Sequence, residues 1–136
     1  DFEGYKMPQQ LFLEEIRSLG KENGTIKDDL DKLQKLSNPK KTIYVIHVPP
    51  FNTKLDTITT GSHVGSKAIK NFIEKEQPQL TLHGHIHESP KMSGSWKDEI
   101  EDTTCINVGS SYPEDKLNCV IIDADDFNNI EYFELK

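Results

Sequence analysis

Short apolar runs alternate with amphipathic segments along most of this chain of 136 residues. Residues 42–47 form a nearly continuous β-branched and aromatic run, which predicts a strand buried on both faces. Residues 66–76 carry apolar side chains on one helical face, and residues 80–83 form a second short strand. Together these segments predict a βαβ unit with two parallel strands. Ligands of α/β folds gather beyond the carboxyl ends of such strands.

The flanking segments predict further elements of the same fold. A capping box that begins at Thr25 marks the start of one helix. The predicted elements are amphipathic helices over 11–19 and 26–36, a charged loop over 91–102, a third strand over 103–108, and a hairpin of strands 117–122 and 130–135. No repeat or linker divides the chain. We therefore expect a single α/β domain over 1–136, with a helical segment at 1–39 and a sheet with site loops at 40–136.

The formal net charge is −7, which argues against general binding to nucleic acid or to an anionic membrane surface. A bound dication can still bring a phosphate ester to an acidic protein. No apolar run is long enough to span a bilayer, and the first residues do not resemble a signal peptide, so we expect a cytoplasmic protein. Cys105 and Cys119 are isolated in apolar stretches and are expected to be reduced.

Candidate chemistry is concentrated in one part of the sequence, because all five histidines lie between His47 and His87. His83, His85 and His87 occupy alternate positions directly after an apolar run. An extended backbone would point these three imidazoles the same way. Neutral imidazole is a common ligand of divalent transition metals, so the pattern indicates a metal site. For His83 alone, a buried histidine hydrogen-bonded within the core is an equally good interpretation.

Three blocks, taken in order, resemble the later motifs of the calcineurin-like metallophosphoesterase superfamily. They are H-V-P-P from His47, G-H-I-H from Gly84, and N-V-G-S from Asn107. The intervening G-S-H-V-G-S at 61–66 resembles the prokaryotic-type members. The resemblance covers residues 40–125, and it departs from the family at Val108, where proline is usual.

The resemblance implies a four-layer αββα sandwich with two divalent metal ions in its active site, drawn from Mn, Fe, Zn, Ni or Co. A water or hydroxide that bridges the ions would attack a phosphomonoester or phosphodiester. In this family pattern His47 and His85 bind the second metal ion, and His87 binds the first. The implied activity is that of a metal-dependent phosphoesterase acting on a phosphate-ester substrate.

The resemblance also suggests roles for residues around the metal ligands, and here alternatives stay open. His63 is placed near the mouth of the site, where it contacts the substrate phosphate or is merely exposed. Asp56 lines the same mouth or is an ordinary solvated carboxylate. Glu88 and Asn107 orient the metal ligands by hydrogen bonds, or they are ordinary loop and turn residues.

The motifs of the superfamily's first half are D-x-H, G-D-x-x-D and G-N-H-D/E, and none occurs in this sequence. We therefore expect the C-terminal half of the sandwich, either cut from a longer enzyme or as a natural relative without activity. Without the carboxylates the chain is predicted to have little activity, while its parent protein is a hydrolase. The exposed half-sandwich surface predicts self-association. The alternative is a catalytically inactive binding or scaffold module. A zinc hydrolase of another fold is disfavoured, because the sequence contains no H-E-x-x-H motif.

Overall fold

The computed structural model describes residue 18 and residues 24–111 and 114–136. The helices in these ranges are α1 (Ile26–Leu33), α2 (Lys67–Glu76) and α3 (Ser89–Ser93), with a short 3-10 helix at Pro39–Lys41. The strands are β1 (Ile43–Val45), β2 (Leu80–His83), β3 (Lys97–Ile100), β4 (Thr103–Asn107), β5 (Leu117–Ile122) and β6 (Ile130–Leu135). The predicted helix over 11–19 lies, apart from residue 18, outside the described residues.

The described strands form a mixed four-stranded sheet of order β1-β2-β4-β3 and a separate two-stranded sheet of β5 and β6. β1 pairs with β2 and β2 with β4, both in parallel, while β3 pairs antiparallel with β4. The β1-α2-β2 segment is therefore a βαβ unit, as predicted. β5 and β6 are antiparallel neighbours, which confirms the predicted hairpin. The chain has an α/β architecture.

Local capping signals in the sequence determine where the two longer helices begin and end. The Thr25 side chain accepts a hydrogen bond from the backbone N–H of Asp28, and the Asp28 carboxylate accepts one from the backbone of Thr25. In α2, the Ser66 side chain caps the first turn, and Gln77 ends the helix in a left-handed conformation with φ of 48°. Pro78 follows and prevents the helix from continuing. α1 ends earlier than predicted, at Leu33, and the next apolar residue, Leu36, is 80% exposed and does not reach the core.

The core lies between helices α1 and α2 and one face of the four-stranded sheet. The rings of Tyr44 and Phe72 meet edge to face, with 5.0 Å between their centroids. Cys105 and Cys119 are free thiols, as predicted. Burial raises the pKa of the Cys105 thiol to about 11, which makes it an unreactive core residue. The core cluster consists of Leu30, Tyr44, Leu55, Ile69, Phe72, Ile73, Ile100 and Cys105.

The prediction that the first strand is buried on both faces is wrong. Tyr44 is buried, but Ile43 is 43% exposed and Val45 is 79% exposed. Successive side chains of a strand point to opposite faces of the sheet, and here the core cluster covers only the face that carries Tyr44. A β-branched composition favours a strand, but it does not reveal which faces are covered.

The prediction of a charged loop over 91–102 is also wrong. The segment contains the end of α3, which Gly94 terminates at φ of 77°, and all of β3. β3 buries a single apolar residue, Ile100, so the hydropathy pattern that marks most strands is missing. Its backbone pairs with β4 through a tight turn in which Glu101 has φ of 50°. Backbone hydrogen bonds, rather than side-chain pattern, make this segment a strand.

The hairpin of β5 and β6 is attached to the larger sheet by aromatic and amide contacts. The ring of Trp96 stacks on that of Tyr132, with 5.6 Å between centroids and 17° between ring planes. The Asn118 amide donates to the backbone carbonyl of Val108 at 3.1 Å. Within the described ranges, no helix has the length and apolar character needed to cross a membrane.

Candidate functional site

Two of the predicted metal ligands meet at the carboxyl edge of the sheet. His47 follows β1 and His85 follows β2, and these strands are parallel neighbours. The backbone N–H of Gly84 donates to the carbonyl of His47 at 2.9 Å, so the strands stay together beyond their assigned ends. The Nδ1 atom of His85 lies 3.2 Å from the Nε2 atom of His47. Both rings are exposed, with centroids 5.0 Å apart.

This nitrogen–nitrogen distance suits a shared metal ion. An imidazole nitrogen binds zinc at roughly 2.0–2.1 Å, so two such ligands at tetrahedral or octahedral angles lie about 2.8–3.4 Å apart. The 3.2 Å between His47 and His85 falls in this range. It also suits a hydrogen bond in which one neutral ring donates to the other. The pair can therefore hold one divalent ion in place of the proton that they share.

The sequence pattern predicts an extended backbone through the three alternate histidines. The structure shows that this prediction is wrong. β2 ends at His83, and His85 has a left-handed backbone with φ of 62°. The backbone N–H of Ile86 donates to the carbonyl of Gly84 at 2.7 Å, which closes a tight turn around His85. A residue other than glycine with positive φ is strained, and strain of this kind concentrates at functional sites. The turn aims the His85 ring at His47.

His83 is a half-buried histidine whose ring nitrogens are both hydrogen-bonded within the fold, which supports the second of its two interpretations. Its Nδ1 atom lies 2.9 Å from the carbonyl oxygen of Ile46 and 3.0 Å from that of Val48. Its Nε2 atom lies 2.9 Å from the hydroxyl of Thr81. Carbonyl oxygens only accept, so Nδ1 carries the proton and Nε2 accepts from Thr81. Burial lowers the pKa of His83 from 6.5 to about 4 and keeps the ring neutral.

This half-buried, neutral ring predicts a loss of stability in mild acid. The unfolded chain takes up a proton on His83 near pH 6.5, while the folded chain does so only near pH 4. The free energy of unfolding should therefore fall as pH drops from 6.5 to 4, by about 2 to 3 kcal/mol at the lower end. Urea unfolding of the wild type and of His83→Gln at several pH values measures this. Parallel pH dependence of the two proteins would contradict the prediction.

Asn107 holds the His85 turn from the end of β4. Its side chain is fully buried, and its Oδ1 atom accepts from the backbone N–H of Gly109 at 3.0 Å. Its amide nitrogen donates to three backbone carbonyls, those of Leu55 at 3.0 Å, Gly84 at 3.2 Å and Ile86 at 3.1 Å. Two of these carbonyls flank His85. Asn107 therefore fixes the backbone on both sides of a candidate ligand.

The structure does not add His87 or Glu88 to the pair of His47 and His85. His87 is exposed and Glu88 is half-buried. Both line a separate cavity of about 640 Å³, which Trp96 also lines. Among the described residues, no three His, Cys, Asp or Glu side chains are arranged to hold a metal ion. A shared site for all three imidazoles and an orienting role for Glu88 stay predictions.

Gly109 is required where the chain passes beneath His87. Its φ of 66° lies in the left-handed region that favours glycine. A Cβ atom at this position would lie 2.5 Å from the carbonyl oxygen of His87 and 2.9 Å from Pro90. The next residue, Ser110, donates its backbone N–H to the same His87 carbonyl at 3.1 Å. The glycine therefore lets the β4 loop approach the His87 loop closely.

Asp56 is a buried carboxylate that holds the loop between β1 and α2. The interpretation of Asp56 as an ordinary solvated loop carboxylate is therefore wrong. It is 0% exposed and accepts backbone N–H bonds from Asn52, Thr53 and Gly65, each at 2.9 Å. Its Oδ1 atom lies 2.7 Å from Nδ1 of His63. Burial acts to raise the pKa of Asp56, but the hydrogen bonds from His63 and the three backbone groups leave it below its usual value.

A weak signal for Asp56 was present in the sequence. The polar segment 52–65 is a long loop inside a compact domain, and the backbone N–H groups of such a loop need acceptors. A carboxylate within the loop can supply several. The sequence does not show that the loop folds around Asp56, because this requires the contact of Gly65 with the chain at Pro49 and Pro50.

The Asp56 loop is bonded directly to the loops of the candidate site. The hydroxyl of Ser89 donates to the carbonyl of Lys54 at 2.8 Å and accepts from the backbone N–H of Thr57 at 3.0 Å. The amide of Asn107 bonds the carbonyl of Leu55 between them. The loops after β1, β2 and β4 thus form one hydrogen-bonded assembly at the carboxyl edge of the sheet.

No protein-family model matches the sequence, and no curated protein matches it significantly. Among solved structures, one crystal structure is similar to this chain with a TM-score of 0.57 and 18% sequence identity. The similarity covers 77% of this chain and 37% of the other. At this identity the match shows a shared fold and nothing more. The chain therefore spans little more than a third of the structure that it matches.

Proposed function

We propose that this chain is the C-terminal part of a metal-dependent phosphoesterase of the calcineurin-like type, with an αββα sandwich as its complete fold. The observation that carries the proposal is the pair of His47 and His85, whose nitrogens lie 3.2 Å apart at the ends of parallel neighbouring strands. These two histidines belong to the H-V-P-P and G-H-I-H blocks. A spacing suited to one metal ion thus occurs where the family pattern places two ligands of one ion.

The chemistry of the donors supports the proposal. Imidazole nitrogens suit Zn, Mn, Fe, Co and Ni, and such ions, when bound, activate water and neutralise charge on a phosphate ester. Within this chain, His47 and His85 would hold one ion and His87 another. Asn107 would keep the His85 ring in position through the carbonyls on either side of it. The bridging carboxylate and the other ligands would come from a longer parent protein, which we expect in the cytoplasm.

The proposal predicts weak but specific metal binding by the chain. Calorimetric titration with Zn²⁺ should show about one ion per chain, because nitrogens of two imidazoles lie 3.2 Å apart. His47→Ala and His85→Ala should each weaken binding at least about tenfold, since each removes half of the protein donors. The exposed residue His63 supplies the control, and His63→Ala should leave zinc affinity unchanged within about twofold.

Two outcomes of this titration count against the proposal. Absence of zinc binding would leave the pair as a hydrogen-bonded couple and favour the scaffold alternative. Equal loss of affinity in the His63→Ala control and in the paired variants would indicate unspecific binding to surface histidines. Metal analysis of the parent protein extends the test, because about two ions per chain supports the enzyme and none supports a scaffold.

A second prediction concerns turnover by the chain itself. With Mn²⁺ added, hydrolysis of a generic aryl phosphate should stay close to background, because the described residues offer no three-ligand group and no bridging carboxylate. Robust turnover that His87→Ala abolishes would contradict this and show that the chain carries a complete site.

A further inference from the structure

A cavity of about 640 Å³ beside His87 is not used by the proposed metal chemistry. Its described walls come from the loops after β2 and β4, the segment before β3, and the hairpin of β5 and β6. The Trp96 cavity, as we call it, is lined by His87, Glu88, Trp96 and Tyr132 among others. Its volume lies in the range of small-molecule sites, roughly 300–1,000 Å³. A small organic group can therefore enter it.

Negative charge predominates on the described walls of the Trp96 cavity. The carboxylates of Glu88, Glu114 and Glu134 line it, against the single ammonium group of Lys91. The Lys116 ammonium lies 3.5 Å from the Glu114 carboxylate and 2.7 Å from that of Glu134, so these two carboxylates share one cation. The cavity therefore repels an anionic group and attracts a cationic one.

The Glu88 carboxylate is the acidic group of this cavity that the described fold leaves unpaired. Glu88 is half-buried at the N-cap of α3, but its side chain makes no capping hydrogen bond. Among the described residues, none forms an ion pair or a hydrogen bond with this carboxylate. A partly buried charge is screened less than an exposed one. A ligand cation beside Glu88 is therefore attracted more strongly than it would be at the open surface.

Two aromatic rings form another part of the wall. The half-buried rings of Trp96 and Tyr132 stack, with 5.6 Å between their centroids. The ammonium group of Lys97 lies over the Trp96 ring, 5.5 Å from its centroid, so this aromatic pair already attracts one cation within the chain. No ammonium group of a described residue lies over the Tyr132 ring. The Tyr132 ring can therefore receive a cation from a ligand.

We propose that the Trp96 cavity binds the organic group of the phosphate ester and that this group carries a quaternary ammonium centre. The inference rests on the proposed function, since His87 is both a wall residue and a predicted metal ligand. A quaternary centre suits this wall, because it has no N–H groups that need acceptors and it contacts aromatic rings through its methyl groups. Glu88 balances its charge. The substrate class is therefore the phosphate esters of quaternary amino alcohols.

The test is an NMR titration of the metal-free chain with choline at constant ionic strength. Trp96 is the single tryptophan of the chain, so its indole N–H signal is identified directly. Choline should shift this signal and the ring signals of Tyr132. Dimethylbutanol, the uncharged isostere with carbon in place of the ammonium nitrogen, should bind about tenfold more weakly. Equal binding of the two alcohols would overturn the recognition of charge.

Variants of the wall residues test which groups bind the cation. Glu88→Gln keeps the shape of the side chain but removes its charge, and should weaken choline binding about threefold to tenfold. Glu74→Gln is the matched control, because Glu74 is exposed on α2 and does not line the cavity. It should change the affinity by less than about twofold. Equal affinities of the two variants would contradict the role of Glu88.

The Tyr132 ring is tested by two substitutions. Tyr132→Phe keeps the aromatic face and should bind choline within about twofold of the wild type, while Tyr132→Leu should lose about tenfold. Circular dichroism of Tyr132→Leu checks that the hairpin is still folded, and the Glu88→Gln comparison does not depend on this variant. Full choline affinity in a folded Tyr132→Leu protein would show that the ring does not bind the cation.

The choline and zinc experiments fail independently. If choline does not shift the Trp96 and Tyr132 signals, this inference is wrong even when zinc binds His47 and His85. If choline binds but zinc does not, the cavity stands as a site for an organic cation and the metal centre is wrong. A double variant, His47→Ala with His85→Ala, should bind choline as the wild type does.

Discussion

Gly109→Ala is expected to destabilise the domain by about 2 to 4 kcal/mol, which is a large part of the stability of a typical domain. The new methyl group would lie 2.5 Å from the carbonyl oxygen of His87 and 2.9 Å from Pro90, and the backbone φ of 66° is unfavourable for alanine. The loop that carries His87 would have to move. Urea unfolding, followed by far-UV circular dichroism, measures the change in the free energy of unfolding.

Gly94→Ala is the matched control for this variant. Gly94 also has a positive φ, of 77°, but a Cβ atom there would meet nothing within 4 Å. In Gly94→Ala the free energy of unfolding should therefore fall only by the cost of the left-handed backbone, about 1 to 2 kcal/mol. The excess in Gly109→Ala measures the steric clash with the His87 loop. Equal losses in the two variants would show that the loops after β2 and β4 do not pack as described.

Asn107→Asp is expected to lower the free energy of unfolding by about 3 to 5 kcal/mol and to abolish zinc binding by the His47 and His85 pair. The aspartate has the same shape, but it replaces an amide that donates to three carbonyls with an oxygen that can only accept when ionised. The buried Leu55 carbonyl would lose its donor, at about 1 to 3 kcal/mol, and an unpaired buried charge adds to this. The carbonyls of Gly84 and Ile86 would keep their backbone donors, from Ile86 and Ser89. Thermal unfolding and zinc titration together measure both effects.

The control for the charge change is Asn71→Asp, because Asn71 is exposed on α2 and no described residue hydrogen-bonds its side chain. It should shift the free energy of unfolding by less than about 0.5 kcal/mol. If Asn107→Asp keeps wild-type stability, the amide does not hold the carbonyls of Gly84 and Ile86. If it loses stability but keeps full zinc affinity, Asn107 supports the fold without positioning His85.

Much of the secondary structure was predictable because local interactions decide it. The capping box at Thr25, the apolar face of α2 and the proline after Gln77 act within one or two helical turns. β3 was missed because a strand that buries only Ile100 has no hydropathy pattern, and its pairing with β4 depends on a partner that local sequence does not identify. β1 was predicted, but the exposure of one of its faces was not, because the burial of a strand face depends on which other elements pack against it.

The sequence by itself determined the α/β class, the βαβ unit, the free thiols and the placement of His47 and His85 after parallel strands. Only the tertiary structure decided the environment and hydrogen bonds of each histidine ring. His83 is kept neutral by burial and is bonded to carbonyls of the neighbouring strand end, His85 is turned towards His47 by an amide on β4, and His63 is anchored by a buried Asp56. The groups that control His83 and His85 lie more than 20 residues away in the sequence, and Asp56 lies seven residues before His63. Spacing along one segment can therefore show that imidazoles are close in the chain, but not which nitrogen is bonded, buried or free to bind.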